Sequence, residues 1–266
     1  MSVSLFLGVL VGAVLGLTGA GGGILAVPAL VAGLGWSVQQ AAPVALIAVA
    51  VGAALGAVEG FRRGLVRYRA AFLMVLAGLP LTSVGLHIAA RVPQSVLLVL
   101  FALVMLVVAT RLLLASRTAT HIERPRPPVL ARIDPASGRF RWTWASGLIF
   151  AGIGALAGFL TGLLGVGGGF VIVPGLRRFT DVSMHGVVAT SLMVVALVSA
   201  GGVAVALAGG APMPIQTTLF FALSTAIGML LGRRLASRIS ESSVQRGFSV
   251  LVLIVAMGLL LEATRR

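Results

Sequence analysis

Eight long apolar stretches, at residues 3–34, 37–60, 67–91, 94–116, 143–176, 184–208, 214–237 and 244–262, leave this chain one kind of solvent. A helix needs roughly 20 mostly apolar residues to cross a bilayer, and each stretch has 19 or more. Only 10% of the chain is charged, against about 25% in soluble domains. Inside a bilayer every backbone N–H and C=O must be satisfied within the protein, so such stretches become helices. The expected fold class is an all-α polytopic membrane protein. One long polar stretch, 117–141, divides the chain into a first membrane repeat (1–116) and a second (142–266), which are expected to fold together as one domain.

The two parts are copies of one pattern. Between residues 8–30 and 154–176 the offset is 146, and 12 of 23 positions are identical. Gly8, Gly12 and Gly16 align with Gly154, Gly158 and Gly162. Gly19-Ala20-Gly21-Gly22-Gly23 aligns with Gly165-Val166-Gly167-Gly168-Gly169, and Pro28 with Pro174. A gap-free repeat of glycines and one proline marks internal duplication. Glycines four apart share a helix face and let helices approach closely, so Gly8/Gly12/Gly16 and Gly154/Gly158/Gly162 read as packing residues. Three consecutive glycines weaken a helix by about 1 kcal/mol each relative to alanine, and are expected to break it.

The arginines choose the topology. All 20 basic residues are arginine, and the net charge is +14. If all eight stretches crossed, 13 arginines would face one side and seven the other. If the first stretch of each half enters and returns without crossing, the split becomes 17 against three, with only Arg91, Arg265 and Arg266 on the minority side. Each half then crosses three times and the second is inverted. The positive-inside bias makes the arginine-rich side cytoplasmic, so the 117–141 linker is cytoplasmic and both termini periplasmic. Arginines lying between apolar runs report orientation, so nucleic acid is not an expected partner. The N-terminus has no basic n-region, so no cleaved signal peptide is read.

Paired broken segments at corresponding positions are the signature of a midplane binding site in inverted-repeat transporters. A glycine run leading into a helix presents unpaired N–H groups at the positive end of the helix dipole, which favours anions. The candidate substrate-binding residues are Gly21, Gly22 and Gly23 with Gly167, Gly168 and Gly169. Thr18, Gln39, Thr190 and Ser191 add donors that can reach oxyanion oxygens. All six acids, Glu59, Glu123, Asp134, Asp181, Glu241 and Glu262, fall at segment ends or in loops. Cation pathways rely on intramembrane carboxylates, so the pattern favours an anion.

An enzyme is not expected. There is no cysteine, and the three histidines, His87, His121 and His185, are scattered. A serine nucleophile would lack an adjacent base, and without lysine the glycine runs are not phosphate loops. No catalytic residue, cofactor or metal is assigned.

The stretches Gly16-Leu17-Thr18-Gly19-Ala20-Gly21-Gly22-Gly23-Ile24-Leu25-Ala26-Val27-Pro28 and Gly162-Leu163-Leu164-Gly165-Val166-Gly167-Gly168-Gly169-Phe170-Val171-Ile172-Val173-Pro174 resemble the paired signature of the TauE/SafE sulfite exporter family. Ala189-Thr190-Ser191-Leu192, the chain length and the eight apolar segments fit it too. The resemblance implies a bacterial inner-membrane exporter of sulfite or of organosulfonates such as sulfoacetate. Its partners would be the small anion and the lipid bilayer, with a homo-oligomer compatible. The alternatives are an importer or channel-like pathway for another small anion, or a membrane protein with a structural role only. Pro43-Val44-Ala45 stands where the second half has Ala189-Thr190-Ser191, which makes any hydroxyl contribution one-sided.

Overall fold

The computed structural model describes residues 2–19, 21–118, 143–211, 213–236 and 238–265. From residue 119 on, the expected linker lies outside the described residues. The described elements are helices: α1 (Ser2–Thr18), α2 (Ala26–Leu34), α3 (Val38–Arg62), α4 (Tyr68–Ala89), α5 (Gln94–Thr118), α6 (Trp144–Leu164), α7 (Gly169–Phe179), α8 (Met184–Ala208), α9 (Ile215–Ala236) and α10 (Glu241–Arg265). A 3-10 turn, Gly22–Leu25, leads into α2. Seven of these helices, α3 to α6 and α8 to α10, are long and apolar enough to cross a membrane. The chain is an all-α polytopic membrane protein.

Helix ends follow local chemistry. Ser37 caps α3, accepting from Gln40 N–H while the Gln40 amide accepts from Ser37 N–H. The Thr143 and Ser146 side chains do the same for α6. Such reciprocal capping satisfies donors that no helical carbonyl reaches. Gly35 and Gly165 end α2 and α6 with φ of 68° and 72°. A left-handed residue just past a helix is strained for any residue with a Cβ.

α3 and α8 form the centre. They cross antiparallel, with Gly56 against Leu192, Gly60 against Ala189 and Gly202 against Leu46. Two pairs flank them, α1 with α9 and α4 with α6. α5 packs on α10. The glycine stripes make the flanking pairs. Gly8, Gly12 and Gly16 face the main chain of Phe221, Thr225 and Met229 in turn, so α1 runs parallel to α9. Gly154, Gly158 and Gly162 face Met74, Gly78 and Thr82, so α6 runs parallel to α4. The contact is backbone on backbone, as small residues permit between membrane helices. Large apolar side chains left outside, such as Phe6, Phe72, Ile227 and Ile254, face the lipid.

The first stretch of each half doubles back. Gly22 lies against Leu15 and Gly33 against Leu7, so α2 returns antiparallel along α1. Gly168 lies against Ala157 and Gly175 against Ile153, so α7 returns along α6. These hairpins go deeper than a shallow dip. Gly165, at the tip of one, touches Ala42 near the start of α3, and Gly19, at the tip of the other, touches Val188 near the start of α8. At 1.5 Å per residue, the 21 residues of α6 measure about 31 Å. The outgoing arm thus reaches most of the way across before the chain reverses.

Candidate substrate site

After each tip the α-helix is broken, by a 3-10 turn in the first half and by a non-helical turn in the second, and the returning helix starts at mid-bundle. A Cβ on Gly23 would lie 2.9 Å from the Val166 carbonyl oxygen and 3.3 Å from Val49 Cγ1. A Cβ on Gly167 would lie 2.8 Å from Val49 Cγ1, 3.0 Å from Val195 Cγ1 and 3.1 Å from Ser199 Oγ. Val49 and Val195 are near the midpoints of α3 and α8 and are themselves related by the offset of 146. The two breaks therefore meet at the middle of the central helix pair, with the starts of both returning helices pointed at the same level. Of the residues expected at a site, the structure brings Gly23 of one break and Gly167 of the other against Val49, while Gly21 lies against Phe248, Gly22 against Leu15 and Gly168 against Ala157.

The identical triplets fold differently. Gly167 and Gly168 have φ of 75° and 69°, whereas Gly21 has φ of −78° and Gly22 and Gly23 belong to the 3-10 turn. In the second break Gly167 and Gly168 are required by backbone conformation. In the first Gly22 is required by space, since a Cβ there would collide with the Leu15 and Val14 main chain. Thr18 explains the rest of the difference. Its Oγ1 accepts from Gly22 N–H at 2.9 Å and donates to the Val14 carbonyl at 2.8 Å. At the matching position the second half has Leu164, and Gly168, which precedes α7, has no side chain to cap it.

The remaining polar candidates stand apart from the breaks. Gln39 Nε2 donates to the Val92 carbonyl at 3.2 Å, tying the start of α3 to the α4–α5 connection. It is ten residues from Val49, about 15 Å of helix. Thr190 Oγ1 accepts from Arg67 N–H at 3.0 Å and anchors the α3–α4 connection to α8. Ser191 Oγ is buried and has no hydrogen-bond partner. So does Ser199 Oγ, eight residues further along α8. Sequence reasoning passed over Ser199. The available signal was the spacing Ser191–Val195–Ser199, four and four, which places all three along one side of a helix.

The charged groups lie at the bundle's ends. Glu59, in the last turn of α3, pairs with Arg63 at 2.6 Å and with Arg233 of α9 at 3.0 Å. Arg62/Arg63 at the end of α3 and Arg233/Arg234 in the last turn of α9 therefore gather at one end of the bundle. His185 is exposed at the start of α8, and His87 is exposed near the end of α4. A cavity of about 500 Å³ lies away from the breaks, on the flank of α6. It is lined by Leu73, Thr143, Trp144, Gly147, Leu148 and Ala151, and Trp144 is 90% exposed. That lining is mostly apolar, whereas a polar substrate needs several convergent polar groups.

Residues 4–259 match the family model described as "Sulfite exporter TauE/SafE". Two proteins of Xylella fastidiosa, each named "Probable membrane transporter protein", are similar over 255 residues. The protein of strain Temecula1 is 29% identical and that of strain 9a5c 30%, each alignment covering 94% of this chain and 91% of the relative. No solved structure matches the chain. A match over nearly the full length, on a bundle with seven helices able to span a membrane and two broken hairpins, settles the class: the chain belongs to the TauE/SafE sulfite exporter family and is a multi-pass membrane transporter, not an enzyme.

Proposed function

We propose that this transporter exports small sulfur oxyanions, sulfite or organosulfonates such as sulfoacetate, across the bacterial inner membrane, binding them at the midplane between the paired breaks. The observation that carries the reading is the meeting of two returning-helix starts at the level of Val49 and Val195. Helix N-termini attract anions through free N–H groups and the helix dipole. The described acids, Glu59, Asp181, Glu241 and Glu262, stand at helix ends or in a connection, away from that level. The candidate substrate contacts are the backbone of Gly21, Gly22, Gly23, Gly167, Gly168 and Gly169 and the Ser191 hydroxyl, of which the Gly22 N–H is already held by Thr18. Thr18, Gln39 and Thr190 act by holding the first break, the start of α3 and the α3–α4 connection.

The breaks are close-packed, so the helices must part to admit the anion. The antiparallel crossing of α3 on its counterpart α8 supports two inverted repeats forming one transport unit. Flux of radiolabelled sulfite from proteoliposomes tests the substrate class. Efflux is expected to exceed that from empty vesicles and to be inhibited by sulfoacetate but not by chloride. Sulfite efflux at the empty-vesicle rate, beside clear flux of another anion, overturns the reading.

The arginine split supports periplasmic termini, with the 62–69, 177–181 and 233–246 connections cytoplasmic. The chain has no cysteine, so single cysteines report cleanly. Ser2→Cys is expected to react with a membrane-impermeant maleimide in intact cells. Reaction only after the cells are opened reverses the orientation.

A further inference from the structure

We propose that the two breaks are not equivalent, and that the oxyanion is seated at one of them, between the N-terminus of α7 and the hydroxyl of Ser199. This rests on the reading of the substrate as a small oxyanion bound at the midplane. Buried hydroxyls in membrane helices ordinarily donate to a carbonyl one turn back. Thr82, Thr161, Thr180, Ser224, Thr225 and Ser249 all do so here. Ser199 is fully buried and its Oγ has no hydrogen-bond partner. A buried hydroxyl left unsatisfied is costly, and its position gives the reason: Ser199 Oγ faces Gly167, 3.1 Å from where a Cβ would stand. The hydroxyl thus stands against the turn that leads into α7, where the Gly169 and Phe170 N–H groups come first; those of Val171 and Ile172 already donate to the Gly168 carbonyl. Gly167 and Gly168 supply the left-handed turn that opens those N–H groups, and no side chain caps them.

The first break has each of these features replaced. Ala53 occupies the position that matches Ser199. Thr18 Oγ1 takes up the Gly22 N–H. The Phe248 ring covers Gly21, with Cε1 3.3 Å from a Cβ placed there. One break is thus capped, apolar and covered, while the other is uncapped and faces a free donor. The ligand chemistry this suits is an anion with at least two oxygens on one face, one taken by backbone N–H and one by the hydroxyl. Val49 and Val195 meet its apolar part.

The test compares Ser199→Ala with the wild type and with Ala53→Ser, all purified in detergent, using sulfite as the probe. Melting temperature is followed against sulfite concentration, since a ligand that binds only the folded state stabilises it. Losing one hydrogen bond to a charged ligand weakens binding by about tenfold to a hundredfold. Ser199→Ala is expected to melt at or above the wild-type temperature without sulfite, because an unsatisfied hydroxyl has gone. It should need at least about ten times more sulfite for the same shift. Ala53→Ser should keep the wild-type sulfite response. An unaltered sulfite response in Ser199→Ala overturns the inference alone, as does a lowered melting temperature or loss of fold without sulfite, which would mark the hydroxyl as structural. A wild type that neither shifts nor transports with sulfite or sulfoacetate overturns the oxyanion reading and this inference together.

Discussion

Gly154→Leu is expected to lower the melting temperature sharply, while Gly152→Leu, two residues away on α6, leaves it unchanged or raises it. A Cβ on Gly154 would stand 2.5 Å from Met74 Cα and 2.7 Å from its carbonyl carbon. A side-chain neighbour could rotate away, but a helix backbone cannot. The whole of α6 would have to lift off α4, and Gly158 and Gly162 would lose their main-chain contacts with it. Overpacking of a tight site costs about 1–3 kcal/mol, and contact along three turns of backbone puts this case at or beyond the upper end. For a chain of this size that is a fall of roughly 5–10 °C in melting temperature. Gly152 has nothing within 4 Å of its Cβ position. There leucine only improves helix propensity, by up to about 1 kcal/mol. Thermal unfolding of the two purified variants decides. Equal melting temperatures would mean that α4 and α6 are not held by this seam.

The second large effect is electrical. An inside potential of −100 mV favours the exit of a monovalent anion by about 2.3 kcal/mol, which is an equilibrium concentration ratio of roughly 50. A divalent anion gains twice that, a ratio of roughly 2,500. With no described acid at the midplane to carry a coupled ion, the anion's own charge is expected to be the coupling. Proteoliposomes with sulfite on both sides and a potassium diffusion potential set by valinomycin should expel it toward these ratios. His185 is exposed at the start of α8 rather than at the breaks, so His185→Gln should leave the distribution unchanged. A distribution that ignores the potential, follows an imposed pH gradient and loses that dependence in His185→Gln would replace uniport with proton coupling.

Much of this architecture could be read from hydropathy and glycine spacing. The apolar stretch 184–208 is α8 to the residue, and 37–60 and 67–91 differ from α3 and α4 by two residues or fewer at each end. Spacing of four along Gly8/Gly12/Gly16 specified a packing face, because a helix has one geometry and glycine one consequence there. The depth of the hairpins was not legible. Hydropathy counts residues and does not record where the chain turns, so α6 and α7 merged into one stretch. Nor could the triplets be told apart, since φ at Gly21 and Gly167 is set by what surrounds them, Thr18 and Phe248 in one case and Val49 and Ser199 in the other. Thr18 and Thr190 were singled out by type, and their hydroxyls are engaged with the backbone. Ser199 was silent because one serine in an apolar helix ordinarily satisfies itself. Its spacing from Ser191 put both on one helix face, and the lack of a partner for either hydroxyl in three dimensions gives that spacing its meaning.

The exchange of partners between α1 and α9 on one side and α6 and α4 on the other bears on how such a chain could have arisen and how it must mature. Each hairpin finds its seam on the opposite copy. A single copy, made alone, would present an unfilled glycine face on its hairpin and an unfilled groove on its second spanning helix. The unit that was duplicated is thus not a unit that closes on itself. On the proposed inverted-repeat topology, an ancestral half-length protein would have needed a second subunit in the reverse orientation to complete it. In the present chain the earliest-made element waits for nearly the last, since α1 stays without its neighbour until α9 has entered the membrane. During synthesis the lipid, and not the protein, must cover that face.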